Sequence, residues 1–167
     1  MIITLVPITV ICLALIYAAI SDAAVMKITN RATGLVLISS ILALVLSAQP
    51  LEILSLHAAS GGIMFAFGFL LFAVGGFGAG DAKLMAAVAL LFQPFELASF
   101  VLATTLYGGA LAIVMMVWGR YVPVRLATHP LFSSLFMNSK KMPYGIAISA
   151  AALTLLPNSE LVMFLLP

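Results

Sequence analysis

The sequence predicts an all-α polytopic membrane protein with about six transmembrane helices and both termini on the non-cytoplasmic side. Two observations carry this prediction. Of the 167 residues, 65% are hydrophobic and only 7% are charged, whereas about a quarter of a soluble domain is charged. The few charged side chains also fall between long apolar runs. This composition excludes a soluble globular protein, a disordered chain and a nucleic-acid-binding protein.

Six apolar segments are candidates for crossing the bilayer, which takes about 20 residues. They cover residues 2–21, 34–49, 58–77, 83–93, 97–118 and 143–159. The first has no basic start and no clear cleavage site, so we expect a span and not a removed signal peptide. The fourth is the shortest, and the sixth opens with Pro143, a residue that helices tolerate in their first turn. No soluble or zinc-binding segment interrupts the pattern, so residues 1–167 are predicted to form a single transmembrane domain.

The basic residues fix the predicted orientation. All seven follow the first, third or fifth span: Lys27, Arg31, Lys83, Arg120, Arg125, Lys140 and Lys141. The other connections and ends hold glutamates as their only charged residues. By the positive-inside rule the basic side faces the cytoplasm, and six spans then place both termini outside. The connection 119–142 mixes aromatic and basic residues, which suits either an amphipathic interfacial segment or an ordinary loop.

Two aspartates lie at the predicted cytoplasmic ends of spans. Asp22 follows 21 uncharged residues, and Asp81 follows the glycine-rich run 75–80. Carboxylates on two helices at one depth can meet, and one of the two then keeps its proton. Such a pair can activate water with one carboxylate and donate a hydrogen bond to a scissile carbonyl with the other. The glycines before Asp81 weaken the helix and allow another backbone to approach.

Other interpretations of the aspartates stay open at this point. Each aspartate can cap a helix or pair with Lys27 or Lys83, as in a structural assembly subunit. The two can also bind protons or cations in a small transporter or channel, although neither lies in the middle of a span. Lys83 either marks the membrane boundary or tunes the pair.

The remaining polar residues do not form a recognisable site. Cys12 is the only cysteine and is expected to be a small buried apolar residue. His57 and His129 fall in predicted loops on opposite sides of the membrane. We therefore predict no metal site and no cofactor, and no serine-protease triad.

Three segments carry a resemblance to a known family. Gly78-Ala79-Gly80-Asp81 matches the Gly-x-Gly-Asp motif of membrane aspartyl proteases, and its surroundings are similar to the second motif of type IV prepilin leader peptidases. Asp22 followed by Lys27-Ile28-Thr29-Asn30 resembles their first motif. The segment 142–147, which contains Pro143-Tyr144-Gly145, resembles their late Pro-Tyr-Gly segment. The resemblance covers roughly residues 10–150 in the family's order. Thr29 and Ile146 replace two usual prolines, but neither position supplies a carboxylate.

The resemblance implies an aspartyl endopeptidase of the bacterial inner membrane. Such an enzyme removes the leader of a type IV prepilin or pseudopilin at the cytoplasmic face, and its other partner is the lipid bilayer. The implied catalytic residues are Asp22 and Asp81. The implied supporting residues are Asn30, Gly78, Gly80, Lys83, Pro143, Tyr144 and Gly145. The oligomeric state is not predicted.

The resemblance also points to one branch of the family. Larger members carry an extra cytoplasmic region with paired cysteines, linked to zinc and to N-methylation, which this sequence lacks. The chain therefore resembles the small, peptidase-only branch of tight-adherence (Flp) pilus systems, without methyltransferase activity. The apolar helix of the substrate is expected to enter laterally beside spans one, three and four.

Overall fold

The computed structural model describes residues 2–118 and 142–165, and helices make up most of both ranges. They are α1 (Ile2–Val25), α2 (Asn30–Ser47), α3 (Leu51–Ala73), α4 (Ala79–Ala89), α5 (Leu97–Trp118), α6 (Tyr144–Leu155) and α7 (Glu160–Leu165), with a 3₁₀ turn at Leu156–Asn158. Within these ranges there is no β-strand, which confirms the all-α prediction. The connection 119–141, with His129, lies outside the described residues.

Among the described residues, four helices are long and apolar enough to cross a membrane: α1, α2, α3 and α5. They support the interpretation as a membrane protein. Helix α4 has 11 residues and α6 has 12, which is shorter than a usual span of about 20. The predicted fourth and sixth crossings, and with them the six-span topology, therefore stay predictions.

Several helix boundaries differ from the sequence-based prediction, among them the start of α3, the end of α1 and the start of α4, where local capping is the reason. Helix α3 begins at Leu51 and not at residue 58, since Pro50 is compatible with the position before the first turn. Helix α1 ends at Val25 and not at residue 21, and the next residue, Met26, has a φ of +53°, which does not continue a helix. Helix α4 begins at Ala79, so Asp81 lies in its first turn.

The earlier start of α3 corrects the prediction for His57. This residue lies inside a helix, not in a loop, and its side chain is fully buried. Its Nδ1 atom lies 3.0 Å from the carbonyl oxygen of Leu90. The contact links α3 to the end of α4, so His57 has a structural role.

Helix α4 is the centre of the bundle. It packs against α2, α3 and α6, while α1 packs against α2 and α6 and α5 packs against α6. Leu84 and Val88 of α4 are completely buried. Small residues let α3 come close, since a Cβ atom on Gly68 would lie only 3.0 Å from Ala82. Burial on most sides explains why so short a helix is apolar.

A polar cluster holds the chain together beyond the C-terminal end of α4. The Gln93 side chain donates a hydrogen bond to Glu160 Oε2 at 2.6 Å, and its backbone N–H donates to Glu96 Oε2 at 2.7 Å. The backbone N–H of Glu160 donates to Glu96 Oε1 at 3.1 Å. Two of the three glutamates are thus gathered at the end of α4 that is remote from Asp81.

Candidate active site

Asp22 and Asp81 line one cavity of about 370 Å³. Its walls are the end of α1, the connection between α3 and α4, and the start of α6. The two side chains are only 4% and 8% exposed. The other lining residues are Met26, Gly75, Gly76, Phe77, Gly78, Met142 and Tyr144. The fold thus brings together the two carboxylates that the sequence analysis selected.

The end of α1 and the start of α6 together position Asp22. The backbone N–H of Gly145, the second residue of α6, donates a hydrogen bond of 2.7 Å to Asp22 Oδ2. The first N–H groups of a helix have no partner within it and favour negative charge. A Cβ atom on Gly145 would lie 2.8 Å from Asp22 Oδ2 and equally close to Ile28 Cδ1. A glycine is therefore needed for this approach.

Asp81 is held by its own helix turn. The backbone N–H of Gly78, just before α4, donates a hydrogen bond of 3.0 Å to Asp81 Oδ2, as the third residue of a helix does in a capping box. The backbone of Gly78 has φ −81° and ψ 147°, which other residues adopt as well. A Cβ atom there would lie 2.5 Å from Asp81 Oδ2, so the constraint is space.

Two further observations explain why glycines occur between α3 and α4. Gly75 has a φ of +80°, which favours glycine because other residues are strained there. A Cβ atom on Gly80 would lie 3.2 Å from Ile28 Cβ, so Gly80 lets the connection after α1 pack closely on α4. Ile28 therefore contacts both the Gly80 and the Gly145 positions.

Burial is the main influence on the charge of Asp81, which lies outside the four candidate spans. It raises the pKa of Asp81 to about 7, and the nearby negative charge of Asp22 acts in the same direction. The hydrogen bond from Gly78 opposes both effects. At neutral pH the Asp81 carboxyl group is therefore partly protonated, which is the behaviour of two carboxyl groups that share a site.

The supporting residues divide into two groups. Tyr144 lines the cavity and packs against Phe77 with ring centroids 4.9 Å apart. Pro143, directly before α6, is buried. Lys83 and Asn30 do not line it. They line a separate groove beside α2 and α3.

The hydrogen bonds that hold the aspartates come from backbone amides. Neither Lys27 nor Lys83 is among the residues that line the cavity. The interpretation of the aspartates as members of surface salt bridges therefore gains no support from the structure.

Sequence reasoning missed part of the cavity wall. The missed lining residues are Met26, Phe77 and Met142, and Ile28 packs beside the wall against Gly80 and Gly145. Their apolar character was visible, but nothing in the sequence shows that they meet across three connections. The described part of the chain contains no cluster of three or more His, Cys, Asp or Glu side chains that could hold a metal. Cys12 is half-buried.

A comparison with protein families agrees with the geometry of this cavity. Residues 9–113 match the model of the type IV leader peptidase family. The matched region contains both aspartates and the Gly78–Asp81 motif, and it ends before Pro143-Tyr144-Gly145. No curated protein and no solved structure matches the chain. Because the family match covers more than half of a helical membrane protein and includes both buried carboxylates, the chain belongs to the type IV leader peptidase family and is a membrane peptidase.

Proposed function

We propose that this protein is an aspartyl endopeptidase that removes the leader peptide of a type IV prepilin or pseudopilin at the cytoplasmic face of the inner membrane. The observation that carries the proposal is the shared cavity of Asp22 and Asp81. Two buried carboxyl groups that line one cavity with room for water form the arrangement that aspartyl proteolysis needs.

The mechanism uses the two carboxyl groups in complementary protonation states. The ionised carboxylate takes a proton from a water molecule, whose oxygen attacks the scissile carbonyl carbon. The protonated partner donates a hydrogen bond to the carbonyl oxygen, which becomes part of a tetrahedral intermediate. When the C–N bond breaks, the leaving amine takes up the proton that the first carboxylate removed. The pair returns to one proton, so no cofactor is required.

The substrate proposed from the family is a precursor with a short basic leader, a small residue at the cut and an apolar helix. The cavity walls are rich in glycine, which suits a small side chain at the cut and a close approach of the substrate backbone. Within residues 1–167 the single cysteine cannot supply the paired cysteines of the larger members. We therefore place the chain with the peptidase-only branch of tight-adherence (Flp) pilus systems.

Co-expression with a candidate Flp prepilin in a host without prepilin peptidases tests this function. We expect the precursor to shift to the mobility of the mature pilin, with a new N-terminus after the basic leader. Metal chelators and serine-protease reagents should leave the cleavage unchanged. Co-expression with the Asp81→Asn variant serves as the control for host proteases. A precursor that stays intact with the wild-type protein would contradict the proposal.

A further inference from the structure

An apolar groove lies between α3 and α5 and joins the aspartate cavity. It has a volume of about 560 Å³. Its walls are Phe67 and Leu71 on α3 and the stretch from Val101 to Ala112 on α5, with Met85 of α4 also in contact. The groove and the aspartate cavity share Gly76, Phe77, Met142 and Tyr144 as lining residues. A segment lying in the groove would therefore meet the aspartate cavity at one end.

The dimensions and chemistry of the groove suit an apolar helix. Its α5 wall spans 11 helical steps, or about 16 Å at 1.5 Å per residue, which is roughly half of the hydrocarbon core. The α5 residues that line it are Val101, Thr104, Thr105, Gly108, Gly109 and Ala112. Gly108, Gly109 and Ala112 are small, so the backbone of a second helix can come close at the C-terminal end of this α5 wall. Thr104 Oγ1 is buried there and has no hydrogen-bond partner among the residues described.

A second groove of similar size provides a comparison. It has about 490 Å³ and lies between α2, α3 and α4, where Gly62 and Lys83 are among its lining residues. It shares no lining residue with the aspartate cavity. Lipid chains can cover either groove, but only the groove between α3 and α5 leads to the carboxylates.

Resting on the proposed function, we propose that the groove between α3 and α5 binds the apolar helix of the precursor, on the C-terminal side of the bond that is cut. Gly109 is the specificity-determining position, because it lines the groove and a Cβ atom there would meet nothing within 4 Å, so a longer side chain can occupy the space that we assign to the substrate. The helix then lies beside α3, α4 and α5. This path runs beside α5 in place of the predicted path beside α1, since six residues of α5 and none of α1 line the groove.

The variant Gly109→Leu tests this assignment by filling the groove. Gly62→Leu is the matched control, since Gly62 is also an exposed helical glycine with open space around its Cβ position. Two probes are needed: a full-length prepilin, and a soluble peptide that contains the leader and the cut but lacks the apolar helix.

We expect Gly109→Leu to lower kcat/KM for the full prepilin at least about tenfold, because the loss of remote binding misplaces the bond. Cleavage of the short peptide should stay within about twofold of wild type, and Gly62→Leu should leave both substrates within that limit. An equal loss on both probes, or no loss on either, would overturn the assignment of the groove.

Cross-linking supplies a readout that does not depend on catalysis. In a Cys12→Ala, Asp81→Asn background, Gly109→Cys should cross-link to a single cysteine in the prepilin helix, whereas Gly62→Cys should not. If the wild-type enzyme cleaves neither probe, the proposed function itself fails. If it cleaves both but Gly109 variants behave like Gly62 variants in both assays, only the groove assignment fails.

Discussion

The carboxylates of Asp22 and Asp81 each accept a hydrogen bond from a glycine amide, and each occupies space that a Cβ atom on that glycine would fill. Asp22 accepts its bond from the Gly145 amide at 2.7 Å, and Asp81 accepts its bond from the Gly78 amide at 3.0 Å. At both glycines a Cβ atom would lie within 2.8 Å of the carboxylate oxygen. These glycines therefore matter for the space that they leave open and not for unusual backbone angles.

Replacing Gly145 by alanine should disable the enzyme without preventing insertion into the membrane. The new methyl group would displace Asp22 or Ile28, and a shift of about 1 Å in a reacting group can lower a rate roughly 100-fold. Gly34→Ala is the control, because a Cβ atom on Gly34 meets nothing within 4 Å. Rates of prepilin cleavage in membranes measure the effect. A Gly145→Ala enzyme as active as the Gly34→Ala enzyme would show that this contact has no catalytic importance.

The raised pKa of Asp81 predicts that activity declines in mildly alkaline solution. Asp81 has a pKa of about 7 in the folded protein, whereas the ordinary pKa of an aspartate is 3.8. Once Asp81 loses its proton, both carboxylates are ionised and neither can donate to the scissile carbonyl. We expect kcat/KM in proteoliposomes to fall as pH rises through about 7. A rate that stays constant from pH 6 to about 9 would contradict this role of Asp81.

The raised pKa of Asp81 also makes the stability of the folded protein depend on pH. The dependence has the opposite sign to that of a salt-bridged aspartate. Because the folded-state pKa lies above the unfolded value, the stability gained from proton binding is present at low pH. It is lost as pH rises through about 7. The thermal midpoint of the Asp81→Asn variant should therefore depend less on pH than that of the wild type.

The existence of the long helices could be predicted, but several of their ends could not. Apolar runs identified α1, α2, α3 and α5, because a bilayer requires such runs. The ends depend on single residues such as Pro50 and Gly78. Because α3 begins directly after Pro50, His57 lies in a helix and not in the predicted loop. Helix α4 is the shortest of the predicted spans and is the central helix, since its length reflects burial by other helices and not bilayer thickness.

The candidate site was only partly predictable for a similar reason. Both aspartates stood out because charges next to apolar runs are costly. The contact between Gly145 and Asp22 joins α1 to α6, and no local pattern reveals which helices will be neighbours. Lys83 and Asn30 belong to the matching motifs in sequence, yet they line a different groove.

The predicted crossing by the short helix α4 can be tested by labelling cysteines in a Cys12→Ala background. Asn30 and Ala79 are exposed and should react only from the cytoplasmic side after replacement by cysteine. Ala48, Asn158 and Phe95, which follows α4, are also exposed and should react only from the outside. Membrane-impermeant maleimide on intact and opened cells measures this. Reaction at Phe95 from the cytoplasmic side would show that α4 does not cross, and reaction at Ala79 from the outside would refute the six-span topology.

At the scale of the whole molecule, the bundle holds two carboxylates at one end of α4 and a glutamate cluster beyond the other. Because of this separation, Glu96 and Glu160 do not line the cavity that Asp22 and Asp81 share. We propose that Asp22 and Asp81 act as one unit, because the two share a cavity and both lie in the region that matches the family.

The most direct test is the rate of leader removal by purified, reconstituted enzyme with one or both aspartates replaced by asparagine. Asparagine keeps the size of the side chain but can neither take a proton from water nor return it. We expect Asp22→Asn and Asp81→Asn each to lower the rate about 10⁴-fold, and the double variant to be no slower, because residues that act as one unit are not additive. Cleavage at a near wild-type rate by either single variant would contradict the aspartyl mechanism.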